Sequence, residues 1–380
     1  MALSKKERKV AEAPMPSGDV LVAQGAGEVK VVGPLISKRR RVSLPQWATA
    51  WLVLIPALIF LVMFMFYPII NTFLYAFLQD FTYVPGGGSF ALGQFISAMS
   101  QTCKSSYGSC TIVYPSFGFA NFVEVLSDPI FPKTILNTAE LVIIEVPLTI
   151  IVALLIATFL NSIKALRGLY QTIFFLPYVT NTIALGLIFN MAFSRTPGGL
   201  VNIVLKNLFG MDPINWLSKD ISSFNGAATR FHQGVVIVVY SLWNGIAFKI
   251  LVFMSGLATI DKQYYDAAKI DGSSSFTIWR RITLPLLSPQ ILYITITSFI
   301  GAFKMYTGVM AVYQGVESGA YYFGGSDGTE WMPVVGWIYK ELATDSLKPG
   351  VSSAGSLVLL AIIMVITAVQ FAVSKKRVHY

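Results

Sequence analysis

The chain has 380 residues, 54% of them hydrophobic and only 12% charged, and it carries a net charge of +9. A water-soluble domain holds about 25% charged residues, so an ordinary soluble fold is excluded and lipid is the expected solvent for much of the surface. The lysines and arginines flank apolar runs and form no basic-aromatic face, which speaks against nucleic-acid binding as the reason for the charge.

In chain order, residues 1–46 are polar and interrupted by Pro14, Pro16 and Pro34, predicting a flexible cytoplasmic N-terminal tail. Its Lys38-Arg39-Arg40-Arg41 cluster suits an anionic lipid surface. Six stretches then reach the roughly 20 apolar residues that cross a bilayer; they run 48–77, 136–160, 169–193, 234–257, 289–312 and 354–374. The expected fold is an all-α polytopic membrane protein with six transmembrane helices. Its expected parts are a first span at 47–77, an extracytoplasmic insert loop at 78–135, a core at 136–374 with five spans and a cytoplasmic loop at 258–288, and a cytoplasmic C-terminal tail at 375–380. The first apolar stretch is too long for a signal-peptide core, so it is expected to stay as a span.

Basic residues cluster before the first span and after the last (Lys375, Lys376, Arg377). They also lie between spans two and three (Lys164, Arg167) and between four and five (Lys262, Lys269, Arg280, Arg281). With six crossings all four clusters share one side, which places both termini in the cytoplasm. The acidic loop at 313–353, with Glu317, Asp327, Glu330, Glu341 and Asp345, fits the outer side. The loop at 194–233 fits less well, because it holds Arg195, Lys206, Lys219 and Arg230.

In the insert loop, Cys103 and Cys110 frame a short polar turn and either pair or stay as free thiols. Their spacing fits no zinc site. The same loop, with Gly86-Gly87-Gly88, Tyr83, Tyr107 and Tyr114, serves either to meet an outside partner or as a passive cap. At 194–233, Pro197–Asn202 and Ile214–Leu217 predict a small amphipathic helix with Trp216 at headgroup depth.

Between spans four and five, Asp261 is placed to cap a helix through Tyr264–Ile270, and Asp271-Gly272 to end it. One of Ser273, Ser274 and Ser275 then caps a second helix through Phe276–Ile282, and Pro285 and Pro289 fix the way into span five. The result is a bent projection, read either as a docking elbow or as an ordinary connector.

The run Tyr265-Asp266-Ala267-Ala268-Lys269-Ile270-Asp271-Gly272, followed by Ile282-Thr283-Leu284-Pro285, resembles the EAA loop of ABC importer membrane subunits. Five further pieces extend the resemblance over about 118–374: Gly118–Phe122, Asn137-Thr138, Phe175-Leu176-Pro177-Tyr178, Gly199–Asn202, and Trp243 ahead of Leu257. Together they resemble a carbohydrate-type ABC permease, of the group with maltose and glycerol-3-phosphate importers. The family usually has Glu where this chain has Asp266, whose carboxylate sits one methylene nearer the backbone.

The resemblance implies a type I ABC importer permease fold in the inner membrane of a prokaryote, importing a sugar or oligosaccharide. Its expected partners are a second related permease, two ATPase subunits and an extracytoplasmic solute-binding protein. No cofactor is expected on this chain, since ATP and Mg are used by the ATPase. The expected docking residues are Tyr264, Tyr265, Asp266, Ala267, Ala268, Ile270, Asp271 and Gly272. The expected solute path has Ser241, Asn244, Gly245 and Phe248 on one face of span four. Ser298, Gly301, Ala302 and Met305 stand on the matching face of span five. Helix packing through small residues is the alternative for both faces.

Glu145, Lys249 and Lys304 are charges inside spans, where burial is costly. They predict a structural ion pair or a wet cavity, with Lys249 able to snorkel towards the inner surface. No phosphate-binding loop occurs and only two histidines are present, so no catalytic or metal constellation is expected. Other readings are a permease for a glycerophosphate or polyol, a proton-driven secondary transporter working through Glu145, and a scaffold without transport. The secondary transporter predicts inverted repeats and broken helices, neither of which is evident in the sequence.

Overall fold

The computed structural model describes residues 20–24, 28–32, 45–79, 102–106, 109–113, 116–163, 167–194, 196–217, 226–314, 330–343 and 348–374. Outside these lie the Lys38–Arg41 cluster, the C-terminal basic residues, Lys164, Arg195, Lys219, Glu317, Asp327, Asp345, and the glycines and tyrosines noted in the insert loop. The chain divides into two compact units, Met1–Tyr67 and Pro68–Tyr380.

In the first unit, β1 (Val20–Gln24) and β2 (Glu28–Val32) form an antiparallel hairpin with Val20 opposite Val32. The expected featureless tail therefore contains regular structure, for which the valine-rich strands supply the propensity. Helix α1 (Gln46–Leu61) then passes into a π turn at Val62–Phe66. Large side chains of both, among them Trp51, Leu54 and Phe60 on α1 and Phe64 in the π turn, are exposed, as a lipid-facing helix requires.

The second unit opens at Pro68 within α2 (Tyr67–Phe77), the end of an apolar run over Ala50–Phe77. Next come β3 (Leu78–Gln79), β4 (Thr102–Ser106), β5 (Ser109–Val113) and β6 (Ser116–Phe117). β3 pairs with β6, so the insert leaves and returns at one place, and β4 pairs with β5. Cys103 stands opposite Ile112 and Cys110 opposite Ser105 in that hairpin. The cysteine side chains, and with them the choice between pairing and free thiols, lie outside the described residues. In α3 (Ala120–Ser127), Asn121 donates to Ala76 O (3.1 Å) and Leu78 O (2.9 Å), closing the carbonyl end of α2.

The remaining helices are α4 (Ile130–Ser162), α5 (Arg167–Val179), α6 (Thr182–Ala192), α7 (Leu200–Phe209) and α8 (Gly226–Thr259). They are followed by α9 (Lys262–Ile270), α10 (Ser275–Ile278), a π turn (Trp279–Thr283), α11 (Leu284–Leu286) and α12 (Ser288–Phe303). The last three are α13 (Thr307–Gln314), α14 (Val334–Ala343) and α15 (Pro349–Ser374). Side by side in one direction, α4 and α8 form the most extensive helix contact and the backbone of the core.

Six continuous spans were expected. Among the described residues, four helices are long and apolar enough to cross a bilayer, or five if the pair bent by 66° around Leu287 counts as one span. The expected third and fifth spans are each broken. Between α5 and α6 the helix stops at Thr180, and Asn181 restarts it by accepting from Ile183 N (2.9 Å) and Ala184 N (3.3 Å). Between α12 and α13 it tightens at Lys304–Tyr306, where Lys304 N donates to Gly301 O (3.1 Å).

At the end of the bundle where α4 and α8 begin, Asn202 is a polar staple. Its Nδ2 donates to Ser194 O, Thr196 O and Ile214 O, while its Oδ1 accepts from Ile214 N and Trp216 Nε1. Trp216 is therefore not an interfacial anchor: it is buried against Phe193, Leu185 and Val236. Arg230 also has a specific place there, bonded to Glu330 (2.7 Å) and Glu140 (2.6 Å) and stacked on Trp331. Asn202→Ala leaves two donors without their buried acceptor. It is expected to cost at least about 2 kcal/mol, read as a lowered unfolding midpoint of the detergent-solubilised protein.

Candidate functional site

A cavity of about 560 Å³ opens between α4, α8 and α12 and the two helix breaks. All eight residues of the two expected faces line it: Ser241, Asn244, Gly245 and Phe248 from α8, and Ser298, Gly301, Ala302 and Met305 from α12. Sequence reasoning did not assign Tyr178, Thr182, Tyr240, Tyr306 and Thr307 to the path, yet they line it too. Most belong to the breaks, which a hydropathy pattern passes over. Pro177 beside Tyr178 and the capping Asn181 were the available signal.

The ring of Phe248 stacks on Tyr178 (6.0 Å between centroids), and the Tyr240 hydroxyl donates to Thr182 O (3.2 Å), a carbonyl beside the first break. Irregular backbone at membrane depth is tolerated where it lines a cavity, and both breaks do so.

The glycines separate cavity from packing. A Cβ built on Gly301 would meet nothing within 4 Å, and one on Gly245 would meet only the Lys249 amine at 3.0 Å and Thr149 at 3.9 Å. Small residues at these positions hold space open and do not serve close helix approach. By contrast, a Cβ on Gly186 would stand 2.4 Å from Ala311 Cβ and 3.2 Å from its backbone carbonyl carbon, so α6 and α13 touch there.

Of the three intramembrane charges, Glu145 and Lys249 are buried and Lys304 is exposed at the second break, all on the cavity. The expected ion pair is not formed: among the described residues no salt bridge joins Glu145 to either lysine. Lys249 does not snorkel either. Its Nζ turns back one helical turn and donates to Gly245 O (3.3 Å).

The polypeptide between α8 and α12 is the elbow. Asp261 Oδ1 accepts from Gln263 N (3.0 Å) at the start of α9, and the helix ends on Gly272 with φ 72°. Only glycine adopts that left-handed conformation readily. Ser273 N then closes on Ala268 O (3.0 Å), and Ser274 caps α10 by accepting from Thr277 N (3.3 Å). Tyr264, Asp266, Ala267, Ile270, Asp271 and Gly272 are exposed, Ile270 to 87%. Tyr265 and Ala268, expected on the outward face, turn inward instead. The Tyr265 hydroxyl lies 3.3 Å from Thr283 Oγ1 and Ala268 is buried, because the i and i+3 positions of α9 face the π turn. Trp279 Nε1 donates to Thr158 on α4 (3.3 Å), tying the elbow to the core.

A family model described as binding-protein-dependent transport system inner membrane component matches residues 146–379. The chain belongs to this family. It is thus a polytopic inner-membrane permease, a transport subunit and not an enzyme, working with a solute-binding protein and an ATPase.

The permease is 28% identical over 330 residues to the arabinooligosaccharides transport system permease protein AraP of Bacillus subtilis (strain 168), covering 86% of this chain and 88% of that one. It is 27% identical over 332 residues to the lactose transport system permease protein LacF of Rhizobium radiobacter, covering 86% and 94%. In fold it is similar to a chain of a bacterial alginate ABC transporter solved in complex with its alginate pentasaccharide-bound periplasmic protein. That match has a TM-score of 0.64 at 17% identity and covers 87% of this chain and 94% of that one.

Gly301→Ala in this permease is expected to leave the unfolding midpoint in detergent unchanged or slightly raised, since a helical Ala is better than Gly by about 1 kcal/mol. Gly186→Ala is expected to lose about 1–3 kcal/mol by overpacking, and the same thermal scan reads both.

Proposed function

We propose that this permease imports a sugar or oligosaccharide, with the cavity beside α8 and α12 as the solute path and the exposed face of α9 as the seat of the ATPase. One observation carries the reading. The elbow joins the two helices whose faces line the cavity, so a push on α9 reaches both walls at once. ATP-driven closure of the ATPase then rocks the bundle between inward- and outward-open states as a rigid-body change.

Chemistry supports the solute class. Ser241 and Asn244 offer hydrogen bonds, the stacked Phe248 and Tyr178 offer an apolar face for a sugar ring, and Gly245 and Gly301 leave room. The arabinooligosaccharide and lactose permeases among the relatives support the same class.

In this reading a second, related permease supplies the opposite wall, and each permease of the pair receives one ATPase subunit. ATP and Mg bind the ATPase and no cofactor binds this chain. Both termini and the elbow face the cytoplasm. Arg230, a basic residue on the outer side in that orientation, is offset by Glu140 and Glu330. On α9, Asp266 and Asp271 make charged hydrogen bonds to the ATPase, and Tyr264 and Ile270 are its apolar anchors.

The test is uptake by the reconstituted assembly with its binding protein and ATP. A charged hydrogen bond is worth about 1.5–3 kcal/mol, so Asp266→Ala combined with Gly272→Val is expected to cut uptake and solute-stimulated ATP hydrolysis more than tenfold. Gly301→Phe is expected to block uptake while the assembly still co-purifies. Uptake that survives the elbow substitutions, or that runs on a pH gradient without ATP, refutes the reading.

A further inference from the structure

Among the described residues three charged side chains line the cavity: Glu145 and Lys249, both buried, and Lys304, which is exposed. Two ammonium groups against one carboxylate leave the wall with a formal surplus of one positive charge. Low-dielectric walls concentrate the field of such a surplus in the opening.

The two lysines differ in what they have left to give. Lys249 Nζ spends one N–H on Gly245 O (3.3 Å), and the residue is only 8% exposed. Lys304 follows the last turn of α12 at the second break, where its backbone N–H closes on Gly301 O (3.1 Å). Among the described residues its Nζ has no carboxylate within salt-bridge distance and bonds none of the carbonyls that end α12. An ammonium inside an apolar span is costly, and a charge kept there faces a wet cavity and marks a solute pathway. The space one turn back is open too, since a Cβ on Gly301 would meet nothing within 4 Å.

We propose that the cavity takes a solute bearing an anionic group, a carboxylate or a phosphate, and that Lys304 receives that group. The proposal rests on the sugar-path reading above and narrows the solute to an acidic sugar or a sugar phosphate. Ser241, Asn244 and Ser298, which share the lining, then meet its hydroxyls. A lysine ammonium is a compact point charge with three rotatable donors, so it suits either anion.

The experiment uses the transporter purified with its second permease and ATPase subunits, in nanodiscs of zwitterionic lipid. Binding protein is left out, so that its own selectivity does not enter. Saturation-transfer NMR gives dissociation constants for two matched pairs. Trigalacturonate is set against its trimethyl ester, which keeps the size and hydroxyls and removes the charge, and galactose 1-phosphate against methyl galactoside. Gly301→Phe obstructs the cavity and so identifies the signal that comes from it. The wild type is expected to bind the anion of at least one pair roughly tenfold more tightly than its neutral partner, and the pair concerned tells which anion is meant. Lys304→Gln is expected to shrink that gap to about twofold by weakening the anion, and Lys304→Arg to keep it. Lys304→Met, which keeps an unbranched stem, carries the same readout if Lys304→Gln fails to assemble.

Equal affinity within both pairs, or a gap that survives loss of the ammonium, overturns the proposal. So does a Lys304 variant that loses neutral and anionic probes alike, or assembly that requires a cation at this position, either of which marks pairing with the second permease. If no probe gives a signal that Gly301→Phe abolishes, the sugar-path reading itself falls and this proposal with it.

Discussion

Within hydrocarbon a peptide N–H or C=O without a partner costs several kcal/mol, and the unit Pro68–Tyr380 is organised around that cost. Along α4, α8 and α15 the groups pair within the helix, apart from the one bond that Pro147 removes from α4, and little else is required of the side chains than to be apolar or to pack. The two interrupted regions have to find partners by other means. At the first break the Asn181 side chain takes the free N–H groups of Ile183 and Ala184 and the Tyr240 hydroxyl takes Thr182 O, and at the second Lys304 N and Met305 N turn to Gly301 O and Ala302 O (3.1 Å each). Both breaks border one cavity, which Thr182 and Tyr240 line at the first and Lys304, Met305 and Tyr306 at the second. The cavity and the breaks are therefore one feature, since the breaks supply its irregular wall and the wall makes the breaks tolerable.

Glycines divide along the same line. Gly186 against Ala311 and Gly355 against Trp337 are contact points where a methyl group has no room, and they fix how closely helices approach. Gly301 meets nothing and Gly245 meets only a flexible amine end and a distant methyl, so they hold volume open. In the proposed reading both kinds have a use, the first keeping the bundle tightly packed and the second leaving the cavity open. The elbow on α9–α10 hangs from the ends of α8 and α12, with its bend set by Gly272 and its base tied to α4 through Trp279 and Thr158.

Broken helices were expected of a secondary transporter, and their presence here shows how weak that discriminator is. A discontinuous helix answers a need for polar backbone beside a solute path, whatever energy source drives it. Family membership rests instead on the family-model match over residues 146–379, and the structure gives several of the motifs along the chain a physical role. Asn121 closes the end of α2, Asn202 staples the turn that carries Trp216, and Pro177-Tyr178 precede the first break.

Local chemistry was legible in the sequence. The elbow, its Asp261 cap, its glycine stop and the serine cap of α10 follow from residues within a few positions of each other. The spacing of Ser241, Asn244, Gly245 and Phe248 likewise defines a helix face without reference to any neighbour. What lay across the bundle was not legible. Glu145 and Lys249 share a cavity yet make no ion pair, Trp216 is buried and not interfacial, Tyr265 and Ala268 turn inward, and two apolar runs are broken although their hydropathy is continuous. The physical reason is one of range. Capping, turn conformation and helical periodicity are set by sequence neighbours, whereas burial, partner choice and the fate of a lone charge depend on which distant side chains the packed bundle brings alongside.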